Sequence, residues 1–269
     1  APGYTPKNLP YEWFVEHTKI ISSVEKIYFC GNLGDSASNK DLLKIIKYIK
    51  TVNPQCTVGL NSNGGLRSRK FWHDLGKLLN GNLDYVVFSI DGLADTNHLY
   101  RWNVQWKKVM QNAQAYIDAG GSAHWDMLVF KHNEHQIEDV YKMADEFGVD
   151  EVKLKTAQIY DYENGSELIP SIDKYSRYKA NENGTYSIKN KLLDHCWKMW
   201  HSCVITWDGR VVPCCFDKDA HHVLGKIDNV SLSKVWRGAE YYNFRKLLLK
   251  SRKEIDMCKN CTEGTTVWA

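Results

Sequence analysis

Between residues 24 and 157 the chain repeats one unit: a short β-branched or aromatic run, a Gly/Asn/Asp turn, then a longer amphipathic stretch. That alternation is the pattern of parallel βα units. Strands are predicted at 26–30, 57–60, 85–90, 124–130 and 151–155, and helices at 40–51, 67–79, 103–119 and 134–147. An earlier helix, 10–22, has Pro10 in its first turn and Trp13, Phe14, Val15, Ile20 and Ile21 on its apolar side. No strand precedes it. A βα barrel opens with a strand, so the chain is expected to start one strand late.

Residues 158–190 lose this periodicity and gain Asn, Ser, Tyr and Gly, as in Asn181-Glu182-Asn183-Gly184. They read as a connector or a substrate-facing excursion. From 191 onward a separate module is expected, with a hairpin over 203–212 turned at Trp207-Asp208-Gly209 and a helix near 231–250. The expected domains are thus 1–157, 158–190 and 191–269.

Composition narrows the function classes. The 269 residues are 43% hydrophobic and 25% charged, enough for one large core and a small one. Basic and acidic side chains interleave to a net charge of +3, which lacks the concentrated basic footprint of a nucleic-acid binder. No run of eighteen apolar residues exists and Ala1-Pro2-Gly3-Tyr4 has no signal-peptide character, so a cytoplasmic location is expected, with no membrane partner.

In parallel βα folds the ligand lies at the carboxyl ends of the strands. Those ends carry Gly31-Asn32-Leu33-Gly34-Asp35, Asn61-Ser62-Asn63-Gly64-Gly65, Ser89-Ile90-Asp91-Gly92 and Phe130-Lys131-His132-Asn133. Glycines there admit close backbone approach, and Ser89 with Asp91 can grip a ribose or an amino group. Any tight βα turn uses Gly and Asn, so one such turn says little; four in succession say more.

Six of the eight cysteines lie in the last quarter: Cys196, Cys203, Cys214, Cys215, Cys258 and Cys261. A C-x-x-C pair with a second, distant pair suits a four-thiolate site, and spacing alone leaves iron–sulfur, zinc and disulfides open. Cys203 and Cys215 are ambiguous, since adjacent thiols rarely share one ion. Cys30 and Cys56 read as small buried residues. His221 and His222 read as solvated, Trp197, Trp200, Trp207 and Trp236 as an apolar shell around the metal site, and Glu134, Asp139, Asp145 and Glu146 with Lys142 as a solvated helix face.

Taken in order, these features resemble the radical S-adenosylmethionine (SAM) superfamily, in particular members with a C-terminal SPASM or twitch auxiliary-cluster domain. The first turn looks like the family's GGE-type motif, Asn63-Gly64 is similar to its TNG turn with Ser62 for threonine, and Ser89 and Asp91 match its fourth-strand segment. The resemblance implies that Gly31, Asn32, Gly34, Asp35, Asn63, Gly64, Ser89 and Asp91 lie around SAM, with Lys131 and Asn133 at the next strand end. A SPASM pattern begins with a Cys, a gap of about nine to fifteen residues, a Gly, four residues and a second Cys. Cys196, Gly209 and Cys214 meet it, with twelve residues in the first gap and Arg210-Val211-Val212-Pro213 in the second. Cys258 and Cys261 would complete one auxiliary 4Fe-4S cluster. Only eight residues follow Cys261 and none is Cys, so one auxiliary cluster is expected.

The superfamily's C-x3-C-x2-C loop, which binds the SAM-cleaving cluster, does not occur in these residues. It would fall in the segment that the pattern lacks before Pro10. A fragment without its first strand is the favoured explanation, because an open parallel edge is rarely left exposed. The resulting expectation is a partial (β/α)6 barrel with a small iron–sulfur domain. Its function would be reductive cleavage of SAM to a 5'-deoxyadenosyl radical that abstracts hydrogen from a substrate. The resemblance favours a peptide or protein substrate over a small carbohydrate or alcohol, with flavodoxin or ferredoxin as electron donor; a second 4Fe-4S cluster is implied only if the missing loop exists. The alternative is a non-catalytic interaction protein that keeps only a structural Fe-S or zinc module.

Overall fold

The computed structural model describes residues 7–31, 34–81, 83–228 and 231–261. They divide into two compact units, one of Pro10–Ser187 and one of Ala1–Leu9 with Ile188–Ala269. The larger holds five parallel strands, β1 (Lys26–Phe29), β2 (Thr57–Ser62), β3 (Tyr85–Ser89), β4 (Ala123–Val129) and β5 (Glu151–Thr156), side by side in chain order. This is the sheet of a partial βα barrel.

The opening helix is two short ones, α1 (Tyr11–Glu16) and α2 (Thr18–Ile21), divided at His17, whose ring stacks on Trp13 at 4.1 Å and bonds its carbonyl at 2.7 Å. The crossovers carry α3 (Leu42–Val52), α4 (Arg69–Leu78), the short α5 (Asn97–Tyr100), α6 (Trp106–Ile117) and α7 (Ile137–Phe147). Leu42, Ile45, Ile46 and Ile49 of α3 recur at helical spacing and are buried, as are Ile137, Val140 and Ala144 of α7. Ser68 caps α4 by accepting from the Phe71 N–H. Gly76 lets α4 approach α6, since a Cβ there would meet the Tyr116 carbonyl oxygen at 2.5 Å.

Register sorts the sheet into two faces. Val58, Leu60, Val86, Phe88, Ala123, Trp125, Met127 and Val129 are buried and alternate with the residues of the opposite face. Below the sheet, Lys50 joins Asp84 at 2.6 Å, and Asp84 also accepts from the Val58 N–H at 2.7 Å.

Residues 158–190 contain a structure that the pattern did not show, a hairpin of β6 (Tyr178–Ala180) and β7 (Tyr186–Ile188). Three-residue strands are too short to display alternation. The smaller unit has α8 (Lys198–His201) and an antiparallel sheet of β8 (Val204–Ile205), β9 (Arg210–Val212) and β10 (Gly225–Lys226). The helix expected near 231–250 is two, α9 (Leu232–Trp236) and α10 (Ala239–Ser251), broken at Arg237 and Gly238. Among the described residues no helix is long and apolar enough to cross a membrane.

Candidate functional site

The turns at the strand ends are tied to one another. Gly31 has φ +64°, and a Cβ there would press on the Gly34 carbonyl oxygen at 3.0 Å. The Asp35 carboxylate accepts from the Ala37 N–H at 2.8 Å, the Ser62 hydroxyl at 2.9 Å and the Asn63 N–H at 2.8 Å. It therefore clamps the first turn to the second. Asn61 and Ser62, expected in the turn, belong to β2, which runs two residues further than the pattern indicated. Gly64 has φ +71°, the left-handed region that suits glycine. Asn63 accepts from the Gly65 N–H, and Asn112 of α6 donates to the Gly64 carbonyl at 2.7 Å and to that of Leu66 at 3.2 Å. Asn32 lies outside the described residues.

The next two strand ends are also braced. Ser89 donates to Asn61 at 2.8 Å. Asp91 is fully buried, pairs with the Arg101 Nε at 2.6 Å and accepts from the Leu128 N–H at 2.7 Å. Burial pushes its carboxyl above the usual range, against the pull of Arg101 and of that N–H. Asn133 donates to the Asp91 and Leu128 carbonyls at 3.0 Å each and accepts from the Phe130 N–H at 2.7 Å. Asp35, Asp91 and Asn133 thus spend their polar atoms holding the turns in place. Of the sequence-named groups here, Lys131 is the exposed one.

The strand face opposite the buried apolar residues was not singled out from the sequence. The Lys26 amine donates to the Tyr85 hydroxyl at 2.7 Å, Tyr85 stacks on His124 at 4.7 Å, and His124 lies 3.2 Å from Glu151. Glu151 also pairs with Lys153 at 2.7 Å, while Lys155 pairs with Asp126. The second Asp126 oxygen is buried without a partner among the described residues. Burial holds the His124 pKa below its ordinary value although Glu151 pulls it up, and the Lys153 hydrogen bond holds Glu151 low. Gly59 leaves room for the rings, for a Cβ there would sit 2.4 Å from Tyr28. A legible signal existed: 124–127 and 151–155 alternate polar and apolar, whereas strands of a parallel sheet buried on both faces read as apolar runs.

In the smaller unit Cys196, Cys214, Cys258 and Cys261 line one pocket, with Lys198, Met199, Phe216, Phe244, Leu248, Arg252 and Met257. Each thiol has a local reason for its place. Cys196 stands just before α8, with its carbonyl accepting from the Met199 N–H. Gly209, at φ +78°, turns the β8–β9 hairpin, in which the Thr206 N–H donates to the Arg210 carbonyl at 2.9 Å. That reversal carries the chain to Cys214. Asp217 then fixes the following loop by accepting from the His221 and His222 N–H groups at 2.8 Å each. Cys258 ends a 3-10 turn, and the Cys261 N–H donates to its carbonyl at 3.1 Å.

Among the described residues Cys196, Cys214, Cys258 and Cys261 are not joined in disulfides. Burial pushes Cys214 up to about 12 and Cys258 up to about 11, so at neutral pH these are protonated thiols whose protons a bound metal would displace. The four surround a shared apolar cavity, and among the described residues no three His, Cys, Asp or Glu side chains gather tightly enough to chelate one ion. Four thiols lining one apolar pocket are the donor set that a 4Fe-4S cluster takes. Cys203 and Cys215 do not line the pocket, and burial alone pushes Cys203 up to about 11.

Several sequence expectations need correction or detail. Trp197 and Trp200 are 45% and 42% exposed, so the cavity wall is not the tryptophan shell expected; Met199, Phe216, Phe244, Leu248 and Met257 form it. Aromatic content near the cysteines could not reveal which rings turn inward. His222 is not simply solvated, because its Nε2 meets Asp256 at 2.7 Å. Cys56 is fully buried, whereas Cys30 is half-buried. Asp139, Lys142, Asp145 and Glu146 are exposed, while Glu134 accepts from the Ile172 N–H.

Comparison with known proteins agrees with this anatomy. Residues 196–262 match the SPASM family, described as an iron–sulfur cluster-binding domain. The chain is 24% identical over 281 residues to the tungsten-containing aldehyde ferredoxin oxidoreductase cofactor-modifying protein of Pyrococcus furiosus, covering 88% of this chain and 75% of that one. It is 37% identical over 115 residues to the S-adenosyl-L-methionine-dependent 2-deoxy-scyllo-inosamine dehydrogenase of Niallia circulans, covering 40% of this chain and 46% of that one. Among solved structures, Streptococcus suis SuiB bound to S-adenosylmethionine superposes with a TM-score of 0.68 at 13% identity, covering 97% of this chain and 65% of SuiB. SuiB bound to its precursor peptide SuiA gives a TM-score of 0.64 at 13% identity, covering 96% of this chain and 63% of that one. The chain therefore shares the partial βα-barrel fold of SuiB, and its residues 196–262 match the SPASM iron–sulfur cluster-binding domain.

Proposed function

We propose that this chain belongs to a radical SAM enzyme that modifies a peptide or protein, with an auxiliary 4Fe-4S cluster on Cys196, Cys214, Cys258 and Cys261. One observation carries the proposal: four thiols separated by up to 65 positions line a single apolar pocket inside the span that matches a cluster-binding domain. The SuiB fold, solved with S-adenosylmethionine and with a precursor peptide, supports the cofactor and the substrate class.

In this reading the chain's own groups seat the cofactor at the ends of β1 to β4. Backbone at Gly31, Gly34 and Gly64 approaches it, together with Asn63, Ser89 and Lys131, while Asp35, Asp91 and Asn133 hold those turns in place. The polar face bearing Asn61, His124, Asp126, Glu151, Lys153 and Lys155 offers donors and acceptors to the substrate. When bound and reduced, SAM supplies a 5'-deoxyadenosyl radical for hydrogen abstraction. That chemistry needs a C-x3-C-x2-C loop, which residues 1–269 do not contain. An electron donor of the flavodoxin or ferredoxin class and a reducing, cytoplasmic setting fit the free thiols.

A second reading, oxidation of a small polyol, is favoured by the 37% identity to the inosamine dehydrogenase. The test is anaerobic reconstitution of the natural gene product, followed by iron analysis and SAM cleavage with a chemical reductant. About eight irons per chain with 5'-deoxyadenosine formation is expected of two 4Fe-4S clusters. Four or fewer irons and no cleavage product would overturn the enzyme reading. Deuterium transfer from labelled peptide or from labelled polyol to 5'-deoxyadenosine separates the two substrate classes.

A further inference from the structure

We propose that Arg252 is the fixed counter-charge of the auxiliary cluster and sets its reduction potential; this rests on the reading of the four-thiol pocket as an iron–sulfur site. Phe244, Leu248 and Arg252 follow one another at helical spacing along α10 and its continuation, and all three line the pocket. The first two are apolar, as a cavity wall requires. The third is a guanidinium that is only 1% exposed.

Burying a cation is costly unless its charge is met by a partner. The partners here include sulfur. Arg252 Nη2 donates to the Cys261 thiol at 3.4 Å, and its charge also favours the thiolate of Cys258, which lines the same pocket. Nη1 donates to the His195 carbonyl at 2.9 Å, and the backbone N–H of Arg252 donates to the Asp194 carboxylate at 2.7 Å. Geometry and charge thus aim one rigid cation at two of the four proposed ligands.

A 4Fe-4S core with four thiolates is doubly negative when oxidised and triply negative after it accepts one electron. A fixed positive charge beside two of the sulfurs favours the more negative state, so it raises the potential. The N–H···S bond to Cys261 acts in the same direction, because it withdraws charge from that sulfur. Low dielectric around the pocket strengthens both effects.

The experiment is an EPR-monitored potentiometric titration with dithionite as the one-electron reductant, following the signal that Cys258→Ala abolishes. Arg252→Met and Arg252→Lys are compared with the wild-type protein, with iron content measured on each sample. The expected result is at least a tenfold smaller equilibrium constant for reduction in Arg252→Met, equivalent to about 59 mV more negative. Arg252→Lys, which keeps the charge, should stay close to wild type. If Arg252→Met loses iron while its apo form melts like the wild-type apo form and Arg252→Lys keeps both iron and potential, the charge requirement stands. The proposal is overturned if Arg252→Met carries a full cluster at the wild-type potential, or if Arg252→Lys shifts as far as Arg252→Met. A wild-type protein with no iron fails the reading of the pocket instead, and iron analysis alone reveals that.

Discussion

Replacing Asn112 with leucine tests whether the turn after β2 is held from outside the sheet. Asn112 is 1% exposed on α6, and its amide reaches back to the Gly64 and Leu66 carbonyls at 2.7 and 3.2 Å. Leucine has similar bulk but no donor. The Leu66 carbonyl keeps a second partner, the Trp72 indole N–H at 2.9 Å, so its loss is that of one ordinary bond, about 0.5–1.5 kcal/mol. Among the described residues no such substitute is seen for the Gly64 oxygen, and leaving a buried acceptor unmet costs about 1–3 kcal/mol. The sum is roughly 1.5–4.5 kcal/mol, a large part of a typical stability of about 5–15 kcal/mol. Urea unfolding should show a midpoint lowered by about 1 M with the slope unchanged, given a slope of roughly 3 kcal/mol per M. Equilibrium dialysis should show S-adenosylmethionine binding about tenfold weaker, because the loosened turn carries Asn63 and Gly64. A midpoint within about 0.2 M of wild type would refute the reasoning, since the orphaned carbonyl would then cost almost nothing.

Three further outcomes follow from the same structure. Arg101→Met strands the buried Asp91 carboxylate on one backbone N–H and should cost about 3 kcal/mol in chemical denaturation, the low end for a buried pair because Arg101 is a quarter exposed; adding Asp91→Asn should recover part of it. Gly76→Ala should lower stability by about 1–3 kcal/mol by calorimetry despite alanine's better helix propensity, because the new methyl lies 2.5 Å from the Tyr116 carbonyl oxygen and cannot swing away. His124 has a folded pKa below its ordinary value of about 6.5, so the stability linked to it is full above that pH and is lost as pH falls through the folded value. His124→Phe should accordingly flatten the loss of stability between about pH 7 and pH 5, and NMR titration of the wild-type ring should give a value below 6.5.

The sequence made the sheet legible because short strand-like runs recur between amphipathic helical stretches, and β3 and β5 fall within a residue of their expected ends. It was least informative where elements are too short for a period, as in β6 and β7, and where a break depends on local contacts, as at His17 and Gly238. The four pocket cysteines could be named because Cys196, Gly209 and Cys214 resemble the start of the SPASM pattern and Cys258 and Cys261 form a C-x-x-C pair. Arg252 could not, since a single basic residue past the end of a helix looks like ordinary C-terminal charge. The strand-end residues were located, but their partners were not. Asp35, Asp91 and Asn133 look like ligand groups in a linear reading, and only the three-dimensional pairing shows that they hold other strand ends.

The claim on which the account turns is that Cys196, Cys214, Cys258 and Cys261, and not Cys203 or Cys215, hold an iron–sulfur cluster. Anaerobic reconstitution followed by iron, acid-labile sulfide and zinc analysis of the six single Cys→Ala variants tests it directly. The account predicts that each of the four pocket variants loses about four irons and four sulfides relative to the parent protein, with Cys203→Ala and Cys215→Ala unchanged. Zinc without sulfide in the parent, or full iron in any of the four pocket variants, would contradict it.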